Sequence, residues 1–158
     1  MKKIKWLFLF IMVILIAGCN DNKKNYDCNI KSIEYSFHDS YGTYASTKPR
    51  HIVFNKDGKV NLSNDYDSST ATFEISEEDY IDLSNYICKR IDMFDRKPKE
   101  DDEVLDGGYS TVEIVLESGE KKSFGGYMVL DRDFNEIESK INGYLKNDTY
   151  TNYMKLII

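Results

Sequence analysis

The polar residues best grouped for chemistry are His38, Asp39 and His51, with Tyr41 and Tyr44 between them. A carboxylate beside an imidazole can orient a base, and tyrosine rings can stack a sugar or a peptide. The stretch carries no serine elbow, catalytic cysteine or second carboxylate at a spacing that hydrolysis uses. It therefore reads first as an interaction loop and second as the centre of a small hydrolase. A further polar cluster, Asp101, Asp102, Glu103 and Asp106, offers oxygen ligands for a hard cation. A calcium loop needs them at alternate positions, where Val104 and Leu105 stand instead, so no metal is assigned. Gly107–Gly108 and Gly125–Gly126 open no phosphate cradle and are read as strand ends, and no cofactor is expected.

A different kind of signal sits at the amino end. Lys2, Lys3 and Lys5 precede an unbroken apolar run from Trp6 to Ala17, and Ile16, Ala17, Gly18 and Cys19 close it. A membrane-spanning helix takes roughly 20 apolar residues and a signal core about 7–15, so the run has the length of a signal peptide. With a branched aliphatic residue and two small residues before the cysteine, residues 1–19 resemble the bacterial lipoprotein signal. The resemblance implies a diacylglyceryl thioether on Cys19, cleavage between Gly18 and Cys19, and attachment to the extracytoplasmic face of the cell membrane. It covers those nineteen residues alone and carries nothing about the rest of the chain. The expected organisation is a signal peptide over 1–18, lipidated Cys19 with a polar tether to residue 28, and one domain over 29–158.

In an exported protein Cys28 and Cys88 can form a disulfide, while Cys88, bordering an apolar stripe, can equally be a buried thiol. Both readings stay open at this level. The 158 residues are 41% hydrophobic and 30% charged, which is a globular composition. Formal net charge is −6, and loss of the three leader lysines takes it to −9. An acidic surface of this size repels phosphate backbones, so nucleic acid is not an expected partner. It also disfavours lying flat on anionic lipid. Partners are expected to be the membrane, through the anchor, and an envelope protein or peptide. A small-ligand carrier would need a cavity between sheet and helices.

The elements that must position these residues follow from periodicity. Ile33, Tyr35 and Phe37 alternate as a half-buried strand. Lys56–Asp57–Gly58 and Glu117–Ser118–Gly119 read as three-residue hairpin loops, setting Phe54 opposite Val60, Ile52 opposite Leu62 and Phe124 opposite Val112. Ser76 caps a helix with the stripe Tyr80, Leu83, Ile87, Ile91 and Phe94, expected to end near Asp95. Asp131 caps a second, with Phe134, Ile137, Ile141 and Leu145. The apolar tail from Tyr150 is expected to dock as a strand or packed segment. The class is α+β: an antiparallel sheet of about six strands, with two amphipathic helices on one face. The functional expectation is a membrane-anchored cell-envelope lipoprotein acting as a binding module, through loops 38–50 and 95–108.

Overall fold

The computed structural model describes residues 28–39, 48–100 and 107–155. Cys19 and the signal segment, Tyr41, Tyr44, the acidic cluster within 101–106, and residues 156–158 lie outside them. Six strands, β1 (Ile30–Asp39), β2 (Arg50–Asn55), β3 (Lys59–Asn64), β4 (Thr70–Glu74), β5 (Gly108–Leu116) and β6 (Lys121–Tyr127), form one antiparallel sheet. Their order is β4-β3-β2-β1-β5-β6, so the long first strand sits between the two hairpins. Helices α1 (Glu77–Cys88), α2 (Arg132–Tyr144) and α3 (Asp148–Lys155) complete the α+β fold.

Alternation builds the core. Ile33 and Tyr35 of β1, Ile52 and Phe54 of β2, Val60 and Leu62 of β3, Val112 and Ile114 of β5, and Phe124 of β6 are buried together. Tyr80, Leu83 and Ile87 of α1 and Phe134, Ile137 and Ile141 of α2 pack against them. Each helix starts where a side chain satisfies its free amides. The Ser76 hydroxyl accepts from the Asp79 N–H at 3.0 Å, and the Asp131 carboxylate accepts from Asp133 and Phe134. Both hairpins have the expected register: Ile52 faces Leu62, Phe54 faces Val60, and Val112 faces Phe124.

Gly58 and Gly119 close the two hairpin loops at φ +82° and +86°. A side chain at either position bears the left-handed backbone cost, roughly 1–2 kcal/mol. Only at Gly58 would the new Cβ also meet a neighbour, the Ile75 carbonyl oxygen at 2.5 Å, whereas Gly119 has open space. Gly58→Ala is therefore expected to destabilise the domain by about 2–4 kcal/mol, and Gly119→Ala by about 1–2. Urea midpoints of the two variants check this, and equal losses would contradict it.

Three expectations are corrected and one alternative is decided. The first helix ends at Cys88 rather than near Asp95, and a 3-10 turn, Ile91–Asp95, follows. That change of path swings Met93 and Phe94 into the core, with Met93 fully buried. Gly125 and Gly126 do not end their strand, which runs on to Tyr127. A Cβ at Gly125 would strike the Ser110 carbonyl oxygen, and one at Gly126 the Glu100 carboxylate. Glycine there lets Glu100 approach closely enough to accept from the Tyr127 N–H at 2.9 Å. Of the two forms expected for the tail, its described residues to Lys155 take the packed segment, a helix that starts where Asn147 accepts from the Tyr150 N–H and whose Tyr153 is buried. Finally, His38, Asp39 and Arg50 belong to strands, not to a loop.

Candidate functional site

The sheet face away from the helices is polar and half-exposed. Residues at even positions of β1 point to it, with Ser36 between His51 of β2 and Thr111 of β5. The Ser36 and Thr111 hydroxyls are hydrogen-bonded at 2.6 Å. Glu34 stands directly opposite Glu113, a like-charge pair that is unfavourable by itself. Each carboxylate is offset from the side. His51 Nδ1 lies 2.8 Å from Glu34, and Lys121 Nζ lies 2.9 Å from Glu113. His51 Nε2 reaches Asp65 at 3.4 Å. The result is a row of five residues, Asp65, His51, Glu34, Glu113 and Lys121, in which each carboxylate has a nitrogen-bearing side chain beside it.

His38, two residues beyond Ser36 on the same face, stacks its ring on Tyr109 with centroids 5.3 Å apart. Tyr109 is exposed and stands opposite Tyr127. The structure thus sets His38 and His51 on one face of adjacent strands but gives them different partners. Asp39 is exposed at the end of β1 opposite Gly108, and strand alternation turns it to the other face. It does not orient either histidine. That position beside His51 is taken by Glu34 and Asp65, which sequence reasoning missed. Glu34 becomes visible only with the β1–β2 register, which the long connection between Asp39 and Arg50 does not fix, whereas Asp65 follows from the β2–β3 hairpin.

On the core face, the last row at this same end turns polar. Arg50 and Asn64 face each other across β2 and β3, and their relative exposures are 8% and 1%. The Arg50 guanidinium lies 5.6 Å from the centroid of the Phe37 ring. The Asn64 carbonyl accepts from the Tyr66 N–H at 2.9 Å, yet Asn64 Nδ2 and Arg50 Nε have no hydrogen-bond partner among the described residues. Tyr150 and Tyr153 of α3 close this row, the Tyr153 hydroxyl donating to the Ser69 carbonyl at 3.4 Å. Burial pushes both phenols up, with the nearby Arg50 charge working against that rise.

The helical side holds an open groove between α1 and α2, lined by Asp79, Asp82, Tyr86, Glu136, Lys140 and Tyr144. Asp79 there is engaged by the Ser76 cap, and the other charges are paired. Arg90 pairs with Glu136 at 2.5 Å and lies over the Tyr86 ring at 3.8 Å, while Lys140 pairs with Asp82. Hydrogen bonds from Arg90 and Arg132 hold Glu136 below the usual carboxylate range, and those from Lys140 and Tyr144 do the same for Asp82. This groove joins two helices. A smaller hollow is lined by Cys28, Ile30, Tyr80 and Ser84 among others, and neither concavity contains His38, Asp39 or His51.

Tyr35 links the sheet to α2, its hydroxyl donating to Glu138 Oε1 at 2.6 Å. Burial, then that carboxylate, raises its ionisation well above the ordinary tyrosine value. The unfolded chain loses this proton near pH 10 while the folded chain keeps it, so stability present below pH 10 declines as pH rises beyond it. The slope from this one proton is about 1.4 kcal/mol per pH unit. Denaturant midpoints between pH 8 and 11 should fall with pH, and Tyr35→Phe should flatten the fall. An unchanged slope would count against the assignment.

No protein-family model matches any part of the chain, and no curated protein matches it.

Proposed function

We propose that the chain is a lipid-anchored protein of the extracytoplasmic membrane face whose domain binds a partner with the sheet end farthest from the anchor. The observation that carries this reading is the polarity of the domain along β1. At the start of β1, Asn29 accepts from the Glu117 N–H at 2.8 Å, and Lys56 pairs with Glu117 at 2.7 Å. This end is made of the two tight hairpin turns and is where the tether enters. Ten strand residues later, about 30 Å away, β1 finishes at Asp39 opposite Gly108. The long polar segments between Asp39 and Lys48 and between Glu100 and Gly107 are both attached at that far end. Tyr109, His38 and the Arg50 row stand there too.

A module held by its amino end presents the opposite end to whatever lies beyond the membrane. Long polar connections and exposed aromatic rings on a rigid sheet are the usual means of recognition. The expected partner is an envelope protein or peptide. The test is site-specific photo-crosslinking in cells of origin, with the reactive amino acid at Tyr109 or His38, compared with Asp57 or Ser118. Adducts to one partner from the first pair and not the second are expected. Adducts only from the hairpin turns would overturn the orientation.

A further inference from the structure

We infer that Arg50 and Asn64 form a carboxylate-binding site, and that the partner's contribution to it is a carboxylate on a peptide chain. The two residues are cross-strand neighbours on the core face of the sheet. Arg50 is more than nine-tenths buried, and no acidic residue pairs with it among the described residues. Its Nε–H and the Asn64 amide both lack an acceptor there. A buried guanidinium without a counter-charge among the described residues is one of the costliest arrangements a fold can hold. Sequence alternation would have put a leucine or valine at either position at no such cost, as it does at Ile52, Phe54, Val60 and Leu62 of the same rows. Two orphan donors on cross-strand neighbours can be completed by an anion with two acceptor oxygens.

The surroundings select the anion. One unpaired positive charge neutralises one negative charge, so a carboxylate fits and a phosphate dianion would leave an excess. The planar guanidinium matches the two oxygens of a carboxylate. Phe37 lies against the guanidinium, and Tyr150 and Tyr153 wall the row, their phenols held neutral by burial. Aromatic walls of this kind pack the chain next to a peptide carboxylate better than they solvate a small free acid. Arg50 and Asn64 stand at the same end of the sheet that the binding reading assigns to the partner. The identity of the donor as a peptide rests on that reading, whereas the anion chemistry does not.

The test uses the native protein in detergent and follows the Arg50 Nε–H resonance and the melting temperature. The probes are N-acetyl-Ala-Ala with a free carboxylate, the same dipeptide as its amide, and acetate. The free acid is expected to shift the resonance saturably and raise the melting temperature, with the amide at least tenfold weaker and acetate weaker than the peptide. Arg50→Met is expected to abolish the response and to match or exceed the parent's melting temperature without ligand, since it removes an unpaired buried charge. Should that variant fail to fold, the acid–amide comparison on the parent decides alone. Equal responses to acid and amide, or no response to either, would overturn the site. Acetate acting at the same concentration as the peptide would overturn the peptide assignment. None of these failures would affect crosslinking through Tyr109, so the two ideas fail separately.

Discussion

A chain in which an ordinary cleaved export leader replaces residues 1–19 is expected to leave the membrane, its membrane-to-soluble ratio falling by at least about 100-fold. Anchoring is additive in methylene groups: each buried one contributes about 0.8 kcal/mol, so one acyl chain holds a protein marginally and two hold it stably. Nothing else among the described residues supplies comparable adhesion. Without its leader the chain carries −9, which opposes the anionic membrane surface, and no helix among the described residues is long and apolar enough to cross a bilayer. Quantitative fractionation after an alkaline wash measures the effect. A leader-swapped protein that still sediments with membranes would mean that the domain itself adheres, and that residues 1–19 supply only export.

Serine at both Cys28 and Cys88 is expected to destabilise the domain by about 4 kcal/mol, the chain-entropy value for a cross-link across a loop of this length. The two sulfurs stand 2.17 Å apart and the alpha carbons 5.7 Å, with 60 residues between them in sequence. The bridge ties the start of β1 to the last residue of α1, enclosing four strands and a helix. With the proposed lipid anchor, a pull on the amino end would pass through this bridge into the core and not into an isolated strand end. For a domain of this size the loss corresponds to a fall in melting temperature on the order of 10–20 °C. The reduced parent and the double serine variant should coincide. Two titratable thiols in the native protein, or a loss below about 1 kcal/mol, would contradict the cross-link. Bonds of this kind form and persist chiefly in oxidising compartments, which is what the proposed export would supply.

The parts of the fold legible in the sequence are those fixed by local rules. Alternation marks the strands, x-x-Gly loops set both hairpin registers, and Ser76 and Asp131 mark helix starts. What escapes depends on contacts distant in sequence. The stripe through Ile91 and Phe94 keeps helical spacing, but the chain leaves the helix at Cys88 and a 3-10 turn buries Met93, which lies off that stripe. Gly125 and Gly126 look like terminators until the neighbours that crowd them, Ser110 and Glu100, are known. The tail's apolar content announces packing but not helix, which Asn147 decides.

The site is legible in the same uneven way. His38, Asp39 and His51 stand out by type, but their grouping along the chain misleads, because alternation sends Asp39 to the other face and long-range pairing gives His51 to Glu34 and Asp65. Tyr41 and Tyr44, singled out with them, lie outside the described residues. Arg50 and Asn64 do not stand out by type, although period two puts both on apolar faces, Arg50 with Ile52 and Phe54, and Asn64 with Val60 and Leu62. A polar residue at an alternating core position is a signal that the chain itself carries. It is masked at Arg50 because that residue adjoins a long polar connection and looks like its last member.

Location underlies every statement about partners, and the mass of the native amino terminus tests it most directly. The protein purified from its own membranes should begin at residue 19, with that cysteine heavier by a diacylglyceryl group, and the Cys19→Ser form should incorporate no acyl label. A native product that starts at Met1 with an unmodified cysteine would contradict the account.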